Sequence, residues 1–393
     1  MDFDYSYWWL LALPLFFVLG WLAARIDIKQ LLSESRALPL SYFKGLNFLL
    51  NEQPDKAIEA FIEVVKVDPQ TIELHFALGN LFRRRGEIER AIRMHQNLAE
   101  RDDLEQDQKL NAVFELAQDY LKAGLLDRAE ELFLKLRGTL HAEAALTFLL
   151  QIYQQEKDWP KAIDAAQELE GVVGRSYQKE IANFYCELAV NELMHTRAEA
   201  ARPHIAQALS YHRQCVRANI LLGEVERAQQ KWDAAIDALK RIENQNPEYL
   251  SLIAERLLAN YREIGKAREG LTLLRGYLYR YPSLDLLNVV FQALLEIDGP
   301  QAAYELVRGE LKRNPTLLGL DKLLEAQLLE APIERRRDLE LIRNLVHEHT
   351  RNLALYRCDN CGFRARQFYW HCPACNEWET YAPRRTEERE LAA

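Results

Sequence analysis

Four of the six cysteines lie within residues 358–375, in the stretch CDNCGFRARQFYWHCPAC, as two CxxC pairs with ten residues between them. A CxxC turn sets two sulfurs on one side of a tight loop. Two such turns facing each other close a tetrahedral S₄ site. The candidate ligands are Cys358, Cys361, Cys372 and Cys375, and Gly362 lets the chain turn back beneath the first pair. S₄ ligation suits one iron or one zinc ion, and the spacing does not choose between them. A segment of roughly 30 residues cannot build an adequate apolar core alone, so ligation has to supply much of its order. Phe363, Phe368, Tyr369, Trp370, Trp378 and Tyr381 surround the pairs, and are expected to cover the site and dock it on the final helices.

Whether such cysteines bind metal or pair as disulfides depends on the compartment. Residues 5–24, YSYWWLLALPLFFVLGWLAA, carry no charged side chain. Twenty helical residues rise about 30 Å, the thickness of a bilayer core. Tyr5, Tyr7, Trp8 and Trp9 stand at one end and Trp21 near the other, as interfacial aromatics do. Asp2 and Asp4 occupy the place of a signal peptide's basic region, so the segment reads as an uncleaved anchor. Arg25, Lys29 and Arg36 follow it and no Lys or Arg precedes it, which puts the N-terminus outside and the bulk of the chain in the reducing cytoplasm. There the paired CxxC motifs are metal ligands.

Between anchor and cysteines the sequence repeats with a period near 34 residues. ELHFALGNLFRRRGEIERAIRMHQNLAE, from Glu73, and RANILLGEVERAQQKWDAAIDALKRIENQNP, from Arg217, share Leu-Gly, a polar turn, Ala-Ile and a second apolar stripe. The tetratricopeptide pattern places small residues at positions 8 and 20, an aromatic at 11 and an apolar residue at 24. Gly45, Phe48, Ala57 and Phe61 fit it, as do Gly79, Phe82 and Ala91, then Ala117, Tyr120, Ala129 and Phe133. Copies start near residues 38, 72, 110, 143, 182, 216, 251 and 284. Each unit is a helical hairpin that buries its apolar face only against its neighbours. Cys186 and Cys215 fall within these helices and read as small buried apolar residues.

The fold expected is therefore all-α. It is a tetratricopeptide-repeat superhelical solenoid of about eight to nine hairpins over 38–350, with a transmembrane helix over 1–24 and a juxtamembrane linker over 25–37. A rubredoxin-like metal-binding domain over 351–383 and a disordered tail over 384–393 follow. Function in such a solenoid belongs to the concave face lined by the first helix of each hairpin. Positions 2, 5, 9 and 12 point there and include Asn80, Arg83, Gln118, Gln151, Gln154, Glu224 and Arg227, polar side chains suited to holding a partner protein. The run Arg83-Arg84-Arg85 falls at a hairpin turn.

The net charge of −9 is spread along the chain, against a nucleic-acid footprint. No HExxH or GxSxG is present, His371 beside Cys372 reads as a supporting residue, and no enzymatic activity is expected. The two knuckles, CxxCG and CPxC, resemble those of rubredoxin in the shortened form found as small appended domains. The combination of anchor, repeats and YRCDNCGF…YWHCPAC resembles the lipopolysaccharide assembly protein B family of Gram-negative bacteria, as do NFLL, LGNLFRRRGE, RAIR and FYCELA along the chain. That resemblance implies a regulatory adaptor at the inner membrane. It would present the lipid A pathway deacetylase LpxC to the membrane protease FtsH, among other lipopolysaccharide assembly or regulatory membrane proteins, with the four cysteines as rubredoxin-type ligands. A membrane-bound scaffold for envelope assembly and a rubredoxin-type redox carrier are the alternatives, and a homodimer is compatible with the sequence.

Overall fold

The computed structural model describes residues 16–18, 21, 40–67 and 72–391. The expected anchor over 1–24 and linker over 25–37 lie outside the described residues, save 16–18 and 21. Among the described residues no helix is long and apolar enough to cross a membrane.

The chain divides into two compact units, residues 1–152 and 153–393. Among the described residues the first holds three helical hairpins. They are α1 (Leu40–Leu50) with α2 (Pro54–Val67), α3 (Ile72–Arg85) with α4 (Ile88–Ala99), and α5 (Gln106–Lys122) with α6 (Leu126–Lys135). Most of α7 (Ala142–Glu156) follows. The second unit takes the end of α7, then α8 (Trp159–Val173) and five hairpins. These pair α9 (Gln178–Met194) with α10 (Ala198–Tyr211), α11 (Val216–Ala228) with α12 (Trp232–Gln245), and α13 (Leu250–Glu263) with α14 (Ala267–Arg280). The last two pair α15 (Leu284–Ile297) with α16 (Pro300–Arg313), and α17 (Leu317–Glu330) with α18 (Ile333–Thr350). A 3₁₀ turn, Pro247–Tyr249, enters α13.

The repeat's small residues are explained by what faces them. A Cβ on Gly45 would lie 2.4 Å from the Phe61 ring, one on Gly79 2.3 Å from His95, and one on Gly223 3.0 Å from Leu239. Each pair is sixteen residues apart, position 8 against position 24 of one hairpin. Alanines at position 20, Ala57, Ala91, Ala129, Ala162, Ala201 and Ala235, are fully buried for the same reason. The hairpin thus closes backbone to side chain, and its outer stripe is left for the next hairpin to cover. Cys186 and Cys215 are fully buried in one such layer with their sulfurs 3.9 Å apart, and burial pushes the Cys186 thiol well up.

Beyond α18 the chain leaves helix for a two-stranded antiparallel ribbon, β1 (Tyr356–Arg357) paired with β2 (Arg364–Ala365). The disordered tail expected from residue 384 is not what the structure shows. Thr386–Glu390 forms a short helix, α19, in which Thr386 and Glu387 are buried. The tail's charges escaped a hydrophobicity-based reading because they are consumed by specific partners, described next.

Candidate metal centre and groove

Each cysteine pair is shaped by the same two backbone hydrogen bonds. The Cys358 N–H donates to the Phe363 carbonyl at 2.9 Å, and the Gly362 N–H returns to the Cys358 carbonyl at 3.0 Å. The Cys372 N–H donates to the Glu377 carbonyl, and the Asn376 N–H returns to the Cys372 carbonyl, both at 2.9 Å. The returning residue sits in the left-handed region in both knuckles, Gly362 at φ 77° and Asn376 at φ 58°. Asn is the residue besides Gly that visits this region most readily, so CPACN mirrors CDNCG in chemistry. That signal was present in the sequence and went unused.

The four sulfurs lie within 4.8 Å of one another. Cys358 and Cys375 are 3.8 Å apart, and Cys361 and Cys372 are 3.7 Å apart. A tetrahedron of metal–sulfur bonds of about 2.3 Å has edges of about 3.8 Å, so the cage has the size such an ion needs. Burial raises the Cys358 thiol, but the N–H groups of Cys361 and Asn360 and the Thr380 hydroxyl outweigh it and bring it to about 6. At Cys361 the Phe363 N–H pulls the other way, yet burial and the three neighbouring cysteines leave it at about 12. The Cys358 thiolate forms readily while Cys361 and Cys372 resist, because like charges crowd. A bound cation removes that repulsion. The donor set fits one iron or one zinc ion.

The module wrapped around these sulfurs is seated on the first-helix face of the second unit. Trp378 donates from Nε1 to Oε1 of Gln154 at 3.0 Å, and its ring lies edge-on to Trp159 and Phe184. His371 stacks on the same indole at 4.5 Å, and burial lowers its imidazole below the usual range. Trp370 stacks on Tyr249 at 5.3 Å and 5°, with Phe368 edge-on to both. Arg217, buried and paired with Glu187 at 2.6 Å, lies near both Trp370 and Trp378. Asn183 donates from Nδ2 to Glu379 at 2.9 Å. The docking expected on the final hairpins therefore spreads across the second unit, starting at α7. Trp370 and Trp378 are half-buried, so each contributes less than the ~1.5–3 kcal/mol of a fully buried large apolar side chain.

The tail completes the grip. Arg385 embraces Asp285 with bonds of 2.6 to 3.0 Å, lies 4.0 Å over the Tyr356 ring, and donates to the Ala354 carbonyl at 2.6 Å. Tyr356 gives its hydroxyl proton to the same Asp285 at 2.7 Å. Glu387 accepts from the N–H groups of Leu317 and Leu318 at 2.5 and 3.0 Å, and Glu388 from that of Leu284 at 2.8 Å. Two consecutive carboxylates thus sit at the N-termini of α17 and α15, where orphan donors and the helix dipole favour negative charge. Arg384 pairs with Glu248 at 2.9 Å.

The groove candidates separate by unit. In the first, Arg83 reaches Asn80 Oδ1 at 2.6 Å, Glu115 at 2.5 Å and Asp119 at 2.9 Å, so it is a bridge between α3 and α5 and not a free cation at a turn. Asp119 also holds buried His95 at 2.5 Å. Gln118 is half-buried and Gln151 exposed. In the second, Gln154 is taken by Trp378, Glu224 pairs with Arg256 at 2.9 Å, and Arg227 is exposed. Sequence reasoning missed Asn183, Arg217, Tyr249, Asp285, Arg385, Glu387 and Glu388. Their partners lie too far along the chain to leave a local pattern.

Comparison with known families agrees with this geometry. The tetratricopeptide repeat family matches residues 44–103 and 186–249, and the rubredoxin metal binding domain family matches 356–383. Lipopolysaccharide assembly protein B of Escherichia coli strain K12 is 37% identical over 376 residues, covering 95% of this chain and 97% of its own. The protein of the same name from Haemophilus influenzae is 33% identical over 391 residues, covering 96% of this chain and 98% of its own.

Proposed function

The chain belongs to the lipopolysaccharide assembly protein B family, and from that premise we propose that it is a non-catalytic regulatory adaptor of lipopolysaccharide assembly at the bacterial inner membrane. In this reading it presents the lipid A pathway deacetylase LpxC to the membrane protease FtsH. It is held by an N-terminal anchor with its bulk in the cytoplasm. The observation that carries the reading is the seating of the metal module. Side chains or N-termini of α7, α8, α9, α11, α15 and α17 and the turn into α13 contact it, so repeats, cage and tail of the second unit form one shaped body. A redox carrier has no need of such extensive clamping, although the exposed Cys361 leaves one edge of the site open to solvent. An adaptor requires the clamping, because its product is a fixed surface. The metal's part is to order the module, and its four thiolate ligands serve that role with iron or with zinc.

Anchoring matters because confinement to a membrane raises the effective concentration of a membrane partner. The test is the half-life of the deacetylase in cells that lack the chain, restored with the full chain or with one missing residues 1–24. The full chain should shorten that half-life and the truncated chain should do so poorly. An unchanged half-life on complete removal of the chain would overturn the adaptor reading.

A further inference from the structure

We propose that Thr380 is a positioning residue of the metal centre, its hydroxyl donating to the metal-bound sulfur of Cys358 and biasing the cage toward a divalent ion. The hydroxyl oxygen lies 3.3 Å from Cys358 Sγ. Backbone contacts hold it there. The Asp359 N–H donates to the Thr380 carbonyl at 2.7 Å, and Cys358 and Tyr381 form an antiparallel bridge. Glu379, just before, sits in the left-handed region at φ 55°, where residues other than glycine seldom go. Its side chain accepts from Asn183, while the next residue's hydroxyl meets the cage. The stretch 378–380 is therefore held from two sides. Trp378 joins it to Gln154 of the repeats, and Thr380 joins it to the sulfurs.

Chemistry sets the direction of the bond. A threonine hydroxyl has one donor and two acceptor sites and rotates to suit its partner. Toward a protonated Cys358 it accepts. A metal-bound thiolate has no proton, so the hydroxyl turns to donate. Its other neighbour, the Glu377 carbonyl at 3.5 Å, is too distant to compete. A bond to an ionised acceptor is also the stronger kind. Cys358 already receives the N–H groups of Asn360 and Cys361, as Cys372 receives those of Ala374 and Cys375. The Thr380 hydroxyl is a further donor on Cys358, a ligand only 1% exposed. Donation draws charge from a thiolate and so favours the more negative state of the cage. Four thiolates around a divalent ion carry one more negative charge than around ferric iron. Zinc and ferrous iron are thus favoured over ferric iron, which suits a centre that orders a module and does not cycle.

The test uses the full chain in mild detergent, loaded with iron, cobalt or zinc. Thr380→Val keeps the shape of the side chain and removes the hydroxyl, and Thr380→Ser keeps the hydroxyl. Thr380→Val should lower the iron midpoint potential and move the thiolate-to-cobalt charge-transfer band to longer wavelength. It should also speed zinc release to a chelator about tenfold. Thr380→Ser should match the unaltered chain in all three measurements. Faster zinc release with potential and band unmoved would leave Thr380 a packing role only and overturn the proposal. Thr380→Ser behaving like Thr380→Val would overturn it too. If Thr380→Val holds iron too weakly for electrochemistry, the cobalt band decides alone, and an unshifted band overturns the proposal. None of these readouts involves the deacetylase, so this proposal and the adaptor reading can fail separately.

Discussion

The same repeat builds the inner faces of both units, yet those faces are finished differently. In the first unit the polar side chains are matched to one another, with Arg83 between two carboxylates and His95 against Asp119, and the carboxamides of Gln118 and Gln151 are left over. In the second unit the equivalent side chains reach instead into the C-terminal module, from Gln154 through Asn183 and Arg217 to Asp285. A repeat fixes the backbone layout. The residues at its few inner positions decide whether that layout encloses part of its own chain or presents itself to another. The difference also separates two sources of stability. The first unit depends on neighbour packing, whereas the module in the second depends on a metal and on distant partners.

The largest break in this comparison is removal of the metal. Cys358→Ser with Cys361→Ser leaves two sulfurs, and ligation for such folds is worth on the order of 10 kcal/mol. The ribbon, both knuckles and α19 should become protease-sensitive, and Trp370 and Trp378 should report solvent in their fluorescence. Helical signal from residues 40–152 should persist, because repeats depend chiefly on neighbours. Collapse of the first unit's helices in the same variant would show that the two units are not independently stabilised.

A smaller effect is expected at the tail. Arg385→Ala removes the bidentate pair and leaves Asp285 with only the Tyr356 hydroxyl. Breaking a charge-assisted pair at this degree of burial costs about 2–3 kcal/mol. Metal content should be unchanged while hydrogen exchange rises at Leu284, Leu317 and Leu318, the amides that the tail's carboxylates cap. Loss of metal in this variant would mean that seating and ligation are one event and not two.

These two variants also mark what was legible in the sequence and what was not. The cage could be read because its four cysteines are close in sequence and their chemistry is local. The hairpins could be read because positions 8 and 24, such as Gly45 and Phe61, recur at a fixed separation. The seating could not. Trp378 meets Gln154 across 224 residues and Arg385 meets Asp285 across 100, and neither pair leaves a periodic trace. For the same reason Gln154 read as free groove, and residues 386–390 read as disordered. Their charge suggested solvent, and only the two distant helix N-termini explain why they are ordered.

Within the first unit, Gly79→Ala should cost about 1–3 kcal/mol through overpacking, because the new Cβ would fall 2.3 Å from His95 Nε2. The His95 ring cannot retreat without loosening its bond to Asp119, and with it the Arg83 bridge. Thermal unfolding followed by a probe in residues 72–135 should shift down, while metal release from the module should not. A joint shift of both would join what the two faces otherwise keep apart.

The smallest expected effect has the opposite sign. Gly276 lies inside α14, and a Cβ built there meets nothing within 4 Å. Its carbonyl accepts from Arg280 Nε at 3.3 Å, a contact that a methyl group leaves intact. Glycine in a helix interior loses more chain entropy on folding than alanine does, so Gly276→Ala should stabilise by about 0.5–1 kcal/mol. For a unit of this size that corresponds to a rise of about 2 °C in the melting temperature. The gain should appear in the isolated chain and be retained when the protein works, provided that the surface around Thr272 and Leu273 stays in water. If Gly276→Ala raises the melting temperature yet lowers deacetylase turnover in cells, the outer surface of α14 is itself a partner contact. The division into one face that is filled and one that is open would then have to include the second unit's outer side.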